Sequence, residues 1–159
     1  MNGKRLMLKV LVNYMRAVVQ QVSFAKVQVK NHPDSIISEG ILVYLAVAGD
    51  DDIGVCKKMA EKLINLRIFE DKNGKMNLSL KQVKGDLMLV SQFTLYGDSS
   101  SGNRPSFIKS AKAEKAKKFY FLVEEELKKS GLNIKTGVFK EQMNVSSNNV
   151  GPKTIIINI

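Results

Sequence analysis

The stretch Leu87 to Asp98, LMLVSQFTLYGD, decides how the rest of the chain is read. It starts as a strand: Leu87, Met88, Leu89 and Val90 form an unbroken apolar run, the pattern of a strand covered on both faces. Ser91, Gln92 and Thr94 then interrupt the run, while Phe93 and Leu95 keep it apolar. If the strand continues, alternation places Gln92 and Thr94 on one face and Ser91 with Phe93 on the other. A buried hydroxyl or amide left without a partner costs roughly 1–3 kcal/mol. These polar residues in a core strand therefore need a reason, and two are open. One is a strand end, with the side chains bonding to nearby backbone before the turn at Gly97. The other is the polar floor of a pocket built on a rigid strand.

Working outward, the flanks of this stretch are an α/β (α+β) pattern of short strands and two main helices. Upstream, Arg16 to Val22 and Ala25 to Val29 read as paired strands, and Gly40 to Ala48 as an apolar strand closed by Gly49-Asp50-Asp51-Asp52. One of these aspartates is expected to cap the next helix, where Cys56, Met59, Ala60 and Leu63 make a single apolar stripe. Asn73-Gly74 within RIFEDKNGKMNLSL marks a hairpin turn.

Downstream, the loop SSSGNRPSF carries Arg104, and a second helix runs from about Ala111 to Ser130. Ala116, Phe119, Tyr120, Val123 and Leu127 face inward, and Gly131 stops the helix. Lys112, Lys115, Lys117 and Lys118 cluster near its start. Such a run is an ordinary solvated face, and also the best candidate for contacting phosphates. Strands at Lys135 to Val138, Met143 to Ser147 and Ile155 to Ile159 complete the pattern. Short connections favour hairpins over repeated βαβ crossovers, so the expected fold is a single domain with a mostly antiparallel, curved, barrel-like sheet.

Composition bounds the chemistry. A chain of 159 residues with 44% apolar content can bury one sizeable core. A formal charge of +10 suits a polyanionic partner, although surface lysines also serve solubility. Cys56 is the only cysteine, which excludes a disulfide framework and fits a reducing, cytoplasmic setting. His32 is the only histidine and sits beside Pro33 in a turn, so a Ser-His or Cys-His triad has no obvious base. No metal spacing, nucleophile elbow or glycine-rich phosphate loop is present. No segment has the ~20 apolar residues of a membrane span. Residues 1–14 read as an upstream extension outside the fold, and 15–159 as the domain. The SQFT segment and the Gly151-Pro152 step before the last strand stay unexplained by these rules.

Those two features, and their order, resemble the D-aminoacyl-tRNA deacylase (D-tyrosyl-tRNA deacylase) family. The resemblance runs from Met15 to Ile159: MRAVVQQV, RIFEDKNGKMNLS, SQFTL at Ser91 to Leu95, GNRPSF at Gly102 to Phe107, and an N-x-G-P-x-T pattern at Asn149 to Thr154. It implies a homodimer that hydrolyses the ester of D-aminoacyl-tRNA, and also glycyl-tRNA mischarged on tRNA-Ala, with no cofactor or metal. It implies that no side chain is nucleophile or base. The 2′-hydroxyl of the terminal adenosine assists, and the backbone amides of Gln92 and Phe93 form an oxyanion hole. Ser91 would shape the site, Thr94 would hold the amino acid or adenosine, and the Phe93 ring would pack. Gly151-Pro152, flanked by Asn149 and Thr154, would be a cis step reaching into the partner's pocket to exclude L side chains. Val150 and Lys153 depart from the residues commoner in the family. Two alternatives are a relative selective for L-alanine, which differs in SQFTL, and a tRNA-binding module without turnover.

Overall fold

A computed structural model describes residues 14–159. The proposed extension therefore lies, Tyr14 apart, outside the described residues. The order of elements is β1 (Arg16–Val29), β2 (Ser35–Ile37), β3 (Gly40–Ala46), α1 (Gly54–Asn65), β4 (Phe69–Glu70), β5 (Met76–Leu78), α2 (Leu80–Val83), β6 (Asp86–Ser91), α3 (Ala113–Lys128), β7 (Ile134–Thr136) and β8 (Met143–Asn158). A short 3-10 turn covers Phe93–Tyr96.

The two expected N-terminal strands are one long strand. β1 crosses the whole sheet, with β2 and β3 antiparallel along one edge and β8 antiparallel along the other. The two expected C-terminal strands likewise merge into β8, because a single partner of matching length pairs with it from Met143 to Asn158. β3 pairs with β6, and β6 with β7, in parallel. Parallel neighbours need crossovers, and α1 and α3 lie within those connections. The sheet is mostly antiparallel as expected, and these two joints are its parallel exceptions. The sheet is mixed and curls nearly closed into a barrel.

The parallel joints explain the apolar run at Leu87. On one face Ile41, Val43, Leu45, Leu87 and Leu89 join Met59 and Leu63 of α1 and Phe119, Tyr120, Val123 and Leu127 of α3 in the main core. On the other face Leu42, Met88 and Val90 belong to a second cluster with Ile37 and Val27. Both faces are buried, so apolar residues stand at successive positions. A glycine is required where β3 and β6 first meet: a Cβ on Gly40 would lie 1.9 Å from the Asp86 carbonyl oxygen.

Local signals behave as their chemistry demands. Cys56, Met59, Ala60 and Leu63 are buried on α1. The expected aspartate cap is displaced: the N-cap position of α1 falls on Ile53, which makes no side-chain cap bond, and Asp52 Oδ1, one residue earlier, accepts from the Gly54 N–H at 2.8 Å. The hairpin at Asn73-Gly74 joins β4 and β5, with the positive φ at Gly74 alone. The single-turn helix α2 is unanticipated, although its signal is local: Ser79 and Gln82 form a reciprocal capping box.

Candidate active site

β6 ends at Ser91, and the chain tightens into the 3-10 turn instead of continuing as a strand. The alternation expected for Gln92, Phe93 and Thr94 is thereby replaced. The turn is held from outside. Tyr96 is buried, and its hydroxyl donates to the Ala46 carbonyl at 3.1 Å and to the Tyr14 carbonyl. Arg16 donates from Nη1 to the Leu95 carbonyl at 3.0 Å, and its guanidinium lies 5.5 Å from the Tyr96 ring centroid. Burial raises the Tyr96 hydroxyl pKa, so it remains a neutral donor. These bonds fix the C-terminal end of a segment whose N-terminal end is fixed by β6.

Ser91, Gln92 and Phe93 line a cavity of about 540 Å³ between the C-terminal ends of β3 and β6 and the start of α3. That volume suits a small-molecule-sized group. The opposite wall includes Phe107, Phe139, Lys140 and Glu141. Lys140, Glu141 and Phe139 were not found from the sequence. They come from the turn after β7, where Lys140 takes a positive φ without any glycine to announce it. Tyr44 also lines the cavity, with burial raising its hydroxyl pKa.

Two expectations change here. The Gln92 N–H donates to the Leu45 carbonyl at 2.8 Å, extending the β3–β6 ladder by one bond. In this structure that N–H is engaged by the ladder rather than turned to the cavity. The Phe93 and Thr94 amides, first in the 3-10 turn, have no acceptor among the described residues. The Phe93 ring is 55% exposed and meets Phe107 edge-on at 5.2 Å, so it stands at the cavity rim rather than in the core. Thr94 is exposed and does not line the cavity.

The second group of expected residues lies elsewhere on the surface. Gln20 pairs with Thr154 and Val22 with Asn149, so one β1 residue faces four β8 residues, and the excess is a protruding loop from Val150 to Lys153. The Gly151-Pro152 peptide in it is cis, and Gly151 has φ +117°. Asn149 Nδ2 donates to the Lys153 carbonyl at 3.0 Å and the Gln21 carbonyl at 2.9 Å. Thr154 Oγ1 donates to Asn149 Oδ1 at 3.3 Å. Lys153, the departure from the family's commoner valine, turns its ammonium to Glu70 at 3.3 Å. Gly151 and Pro152 are exposed and do not line the cavity of their own chain.

Of the basic residues, Arg104, Lys112, Lys117 and Lys118 are exposed. Ala113 and Ala116 of α3 line the cavity, whereas none of these lysines does. Lys115 differs: its ammonium donates to the Gly49 and Asp51 carbonyls at 2.8 and 2.6 Å, tying α3 to the loop before α1. Cys56 is buried, and burial pushes its thiol up to about 11, which leaves it a packing residue. Among the described residues no cluster of His, Cys, Asp and Glu could hold a metal, and no helix is long and apolar enough to cross a membrane.

Comparison with known proteins bears on the family and the fold. The family model described as D-Tyr-tRNA(Tyr) deacylase matches residues 18–158. A D-aminoacyl-tRNA deacylase of Thermotoga petrophila is 48% identical over 143 residues, 90% of this chain and 96% of that protein. One from Thermosipho africanus is 49% identical over the same shares. The solved structure of a c-Myc DNA Unwinding Element Binding Protein superposes with a TM-score of 0.83 at 38% identity, covering 90% of this chain and 97% of that one. The chain belongs to the D-Tyr-tRNA(Tyr) deacylase family and is a hydrolase acting on ester bonds.

Proposed function

We propose that this protein hydrolyses D-aminoacyl-tRNA in the cytoplasm as a homodimer, and that each cavity is completed by the Val150 to Lys153 loop of a second copy. The observation that carries the reading is the SQFTL segment standing at the cavity in a chain of this family. Water attacks the ester carbonyl carbon, the bond to the ribose 3′-oxygen breaks, and that oxygen takes a proton. The 2′-hydroxyl of the terminal adenosine assists the proton transfer. The Phe93 amide, on a residue that lines the cavity, receives the developing oxyanion, a role in which one donor is typically worth about 2.7–4 kcal/mol of barrier. Ser91 shapes the floor, and the exposed Phe93 and Phe107 rings border the terminal nucleoside. Lys112, Lys117, Lys118 and Arg104 meet the phosphates of the acceptor end.

Chirality is selected by exclusion. The Gly151 and Pro152 carbonyls approach the substrate Cα where an L side chain would project. Exclusion requires no D side chain, so glycyl-tRNA mischarged on tRNA-Ala is a second substrate. The intact SQFTL favours this specificity over that of the L-alanine-selective relatives.

The experiment is turnover of D-Tyr-tRNA against L-Tyr-tRNA in EDTA. Hydrolysis of the D ester alone is expected, and equal rates or loss with chelator would overturn the reading. Binding without turnover would instead mark an RNA-binding module. Ser91→Ala should retain most activity; a loss beyond roughly 10³-fold, near 4 kcal/mol, would mark Ser91 as a nucleophile.

A further inference from the structure

We infer that Gln20 is a positioning residue for chiral selection, holding both feet of the Val150 to Lys153 loop through one side-chain amide. The inference rests on the proposed role of that loop. Its starting point is a mismatch of lengths. Between the pairs Gln20–Thr154 and Val22–Asn149, β8 carries four residues where β1 carries one, so the ladder cannot restrain the intervening backbone. An unrestrained loop would be a poor filter, since discrimination by backbone carbonyls depends on their being held close to the substrate.

The restraint comes from side chains at the neck. Gln20 Nε2 donates to Thr154 Oγ1 at 3.2 Å and to Asn149 Oδ1 at 3.5 Å, spanning the two residues where the loop leaves and rejoins the sheet. Asn149 Nδ2 uses both hydrogens, on the Gln21 and Lys153 carbonyls, and Thr154 donates its hydroxyl hydrogen to Asn149 Oδ1. Asn149 is thereby saturated and its amide orientation is determined: the oxygen must face Gln20 and Thr154. Thr154 Oγ1 has spent its hydrogen, so only a donor can complete it. Gln20 supplies that donor. Glutamate at the same place would set an acceptor against the Asn149 and Thr154 oxygens.

The other tether of the loop is weaker in kind. Lys153 and Glu70 form a single ion pair in which the Lys153 side chain is half-buried but Glu70 is exposed, so solvent screens it from one side. The amide network, several bonds converging on a part-buried Asn149, is the one expected to set loop geometry.

The test uses Gln20→Met, which keeps the volume and removes the donors, and Gln20→Glu, which inverts them. The full-length protein is compared for turnover of D-Tyr-tRNA and L-Tyr-tRNA, with size measured by light scattering. The ratio of the two rates is expected to fall about tenfold in Gln20→Glu, the scale of one mispaired hydrogen bond, and less in Gln20→Met. The D rate itself should move only a few-fold. A merely structural role would lower both rates together and leave the ratio intact, and that result in either folded variant overturns the inference. Hydrogen exchange of the Asn149 side-chain amide, read by ¹⁵N spectra, supplies an arm independent of activity. Faster exchange in Gln20→Met is expected, and unchanged exchange refutes the clamp. If the unaltered protein fails to discriminate, the role proposed for the loop falls, while the exchange measurement still decides whether Gln20 holds it.

Discussion

Two segments interrupt their strands with polar residues, and they are built in opposite ways. Ser91 to Tyr96 turns inward at the end of β6, with Leu45 and Arg16 gripping its backbone, the Ala46 carbonyl accepting from the Tyr96 hydroxyl, and its last ring buried. Asn149 to Thr154 bulges outward from the middle of β8, exposed at Gly151 and Pro152 and held by side-chain bonds at its neck and by the Lys153–Glu70 ion pair. The first is positioned by the core, so its geometry is inherited from the packing of β3 and β6. The second is positioned by a few side-chain hydrogen bonds, each worth roughly 0.5–1.5 kcal/mol net. On the proposed function, the first would be a rigid reaction centre and the second a separately adjustable filter.

The sharpest way to break the contrast is at Gly151. Its φ of +117° is a conformation that L residues rarely adopt, and a Cβ there would lie 2.8 Å from the Lys153 nitrogen. Gly151→Ala should distort the loop at a cost of order 1–3 kcal/mol. D-Tyr-tRNA turnover or its D-over-L ratio should fall at least tenfold while Tm changes little, because the core does not touch this residue. An unchanged ratio would detach the loop from the chemistry.

A smaller effect is expected from charge near the first segment. Replacing Lys112, Lys117 and Lys118 with Gln should weaken tRNA binding several-fold, and the salt slope should fall by about 0.7 for each phosphate no longer neutralised. Titration of binding against salt measures it; an unchanged slope leaves these lysines as a solvated helix face. Lys115 is kept out of that set, since its ammonium is occupied by the Gly49 and Asp51 carbonyls.

The inward segment should also carry the greater pH sensitivity, through Asp51 beneath Tyr96. Burial raises the Asp51 carboxyl to about 6, against lowering by the Ala48 and Met15 amides and by Lys115, with Asp50 raising it further. The folded protein therefore holds this proton more tightly than the unfolded chain does. The contribution of Asp51 to stability falls as pH rises from 3.8 through about 6 and stays low above it. The Tm advantage of the unaltered protein over Asp51→Asn should accordingly shrink across that window. A gap that widens with pH would show the sign to be wrong.

The smallest effect is predicted for Lys153→Val. Its bond to Glu70 ends on an exposed carboxylate, and pairs open to solvent contribute about 0–1 kcal/mol. Selectivity and Tm should stay within a few-fold and a few degrees of the starting values, and a large change in either would make this tether part of the filter.

Much of this was legible in the residues. The apolar stripe of α1, the inward face of α3, the Asn73-Gly74 turn and the doubly buried run at Leu87 all follow from local periodicity, and the structure honours each. Local chemistry also marked SQFT and Gly151-Pro152 as anomalies, because polar groups in a core strand and a Gly-Pro step before a terminal strand conflict with the pattern around them. Tertiary structure alone decided the rest. Whether β3, β6 and β7 run parallel depends on where α1 and α3 pack, and no window of sequence contains that. The commitment of the Gln92 N–H to Leu45 depends on a partner strand more than forty positions away. The cavity wall at Lys140 and Glu141 depends on how the turn after β7 folds across α3. Gln20 meets Asn149 and Thr154 only because β1 and β8 pair across almost the whole length of the chain. Periodicity is a property of neighbours in sequence; hydrogen-bond saturation and the walls of a cavity are properties of neighbours in space.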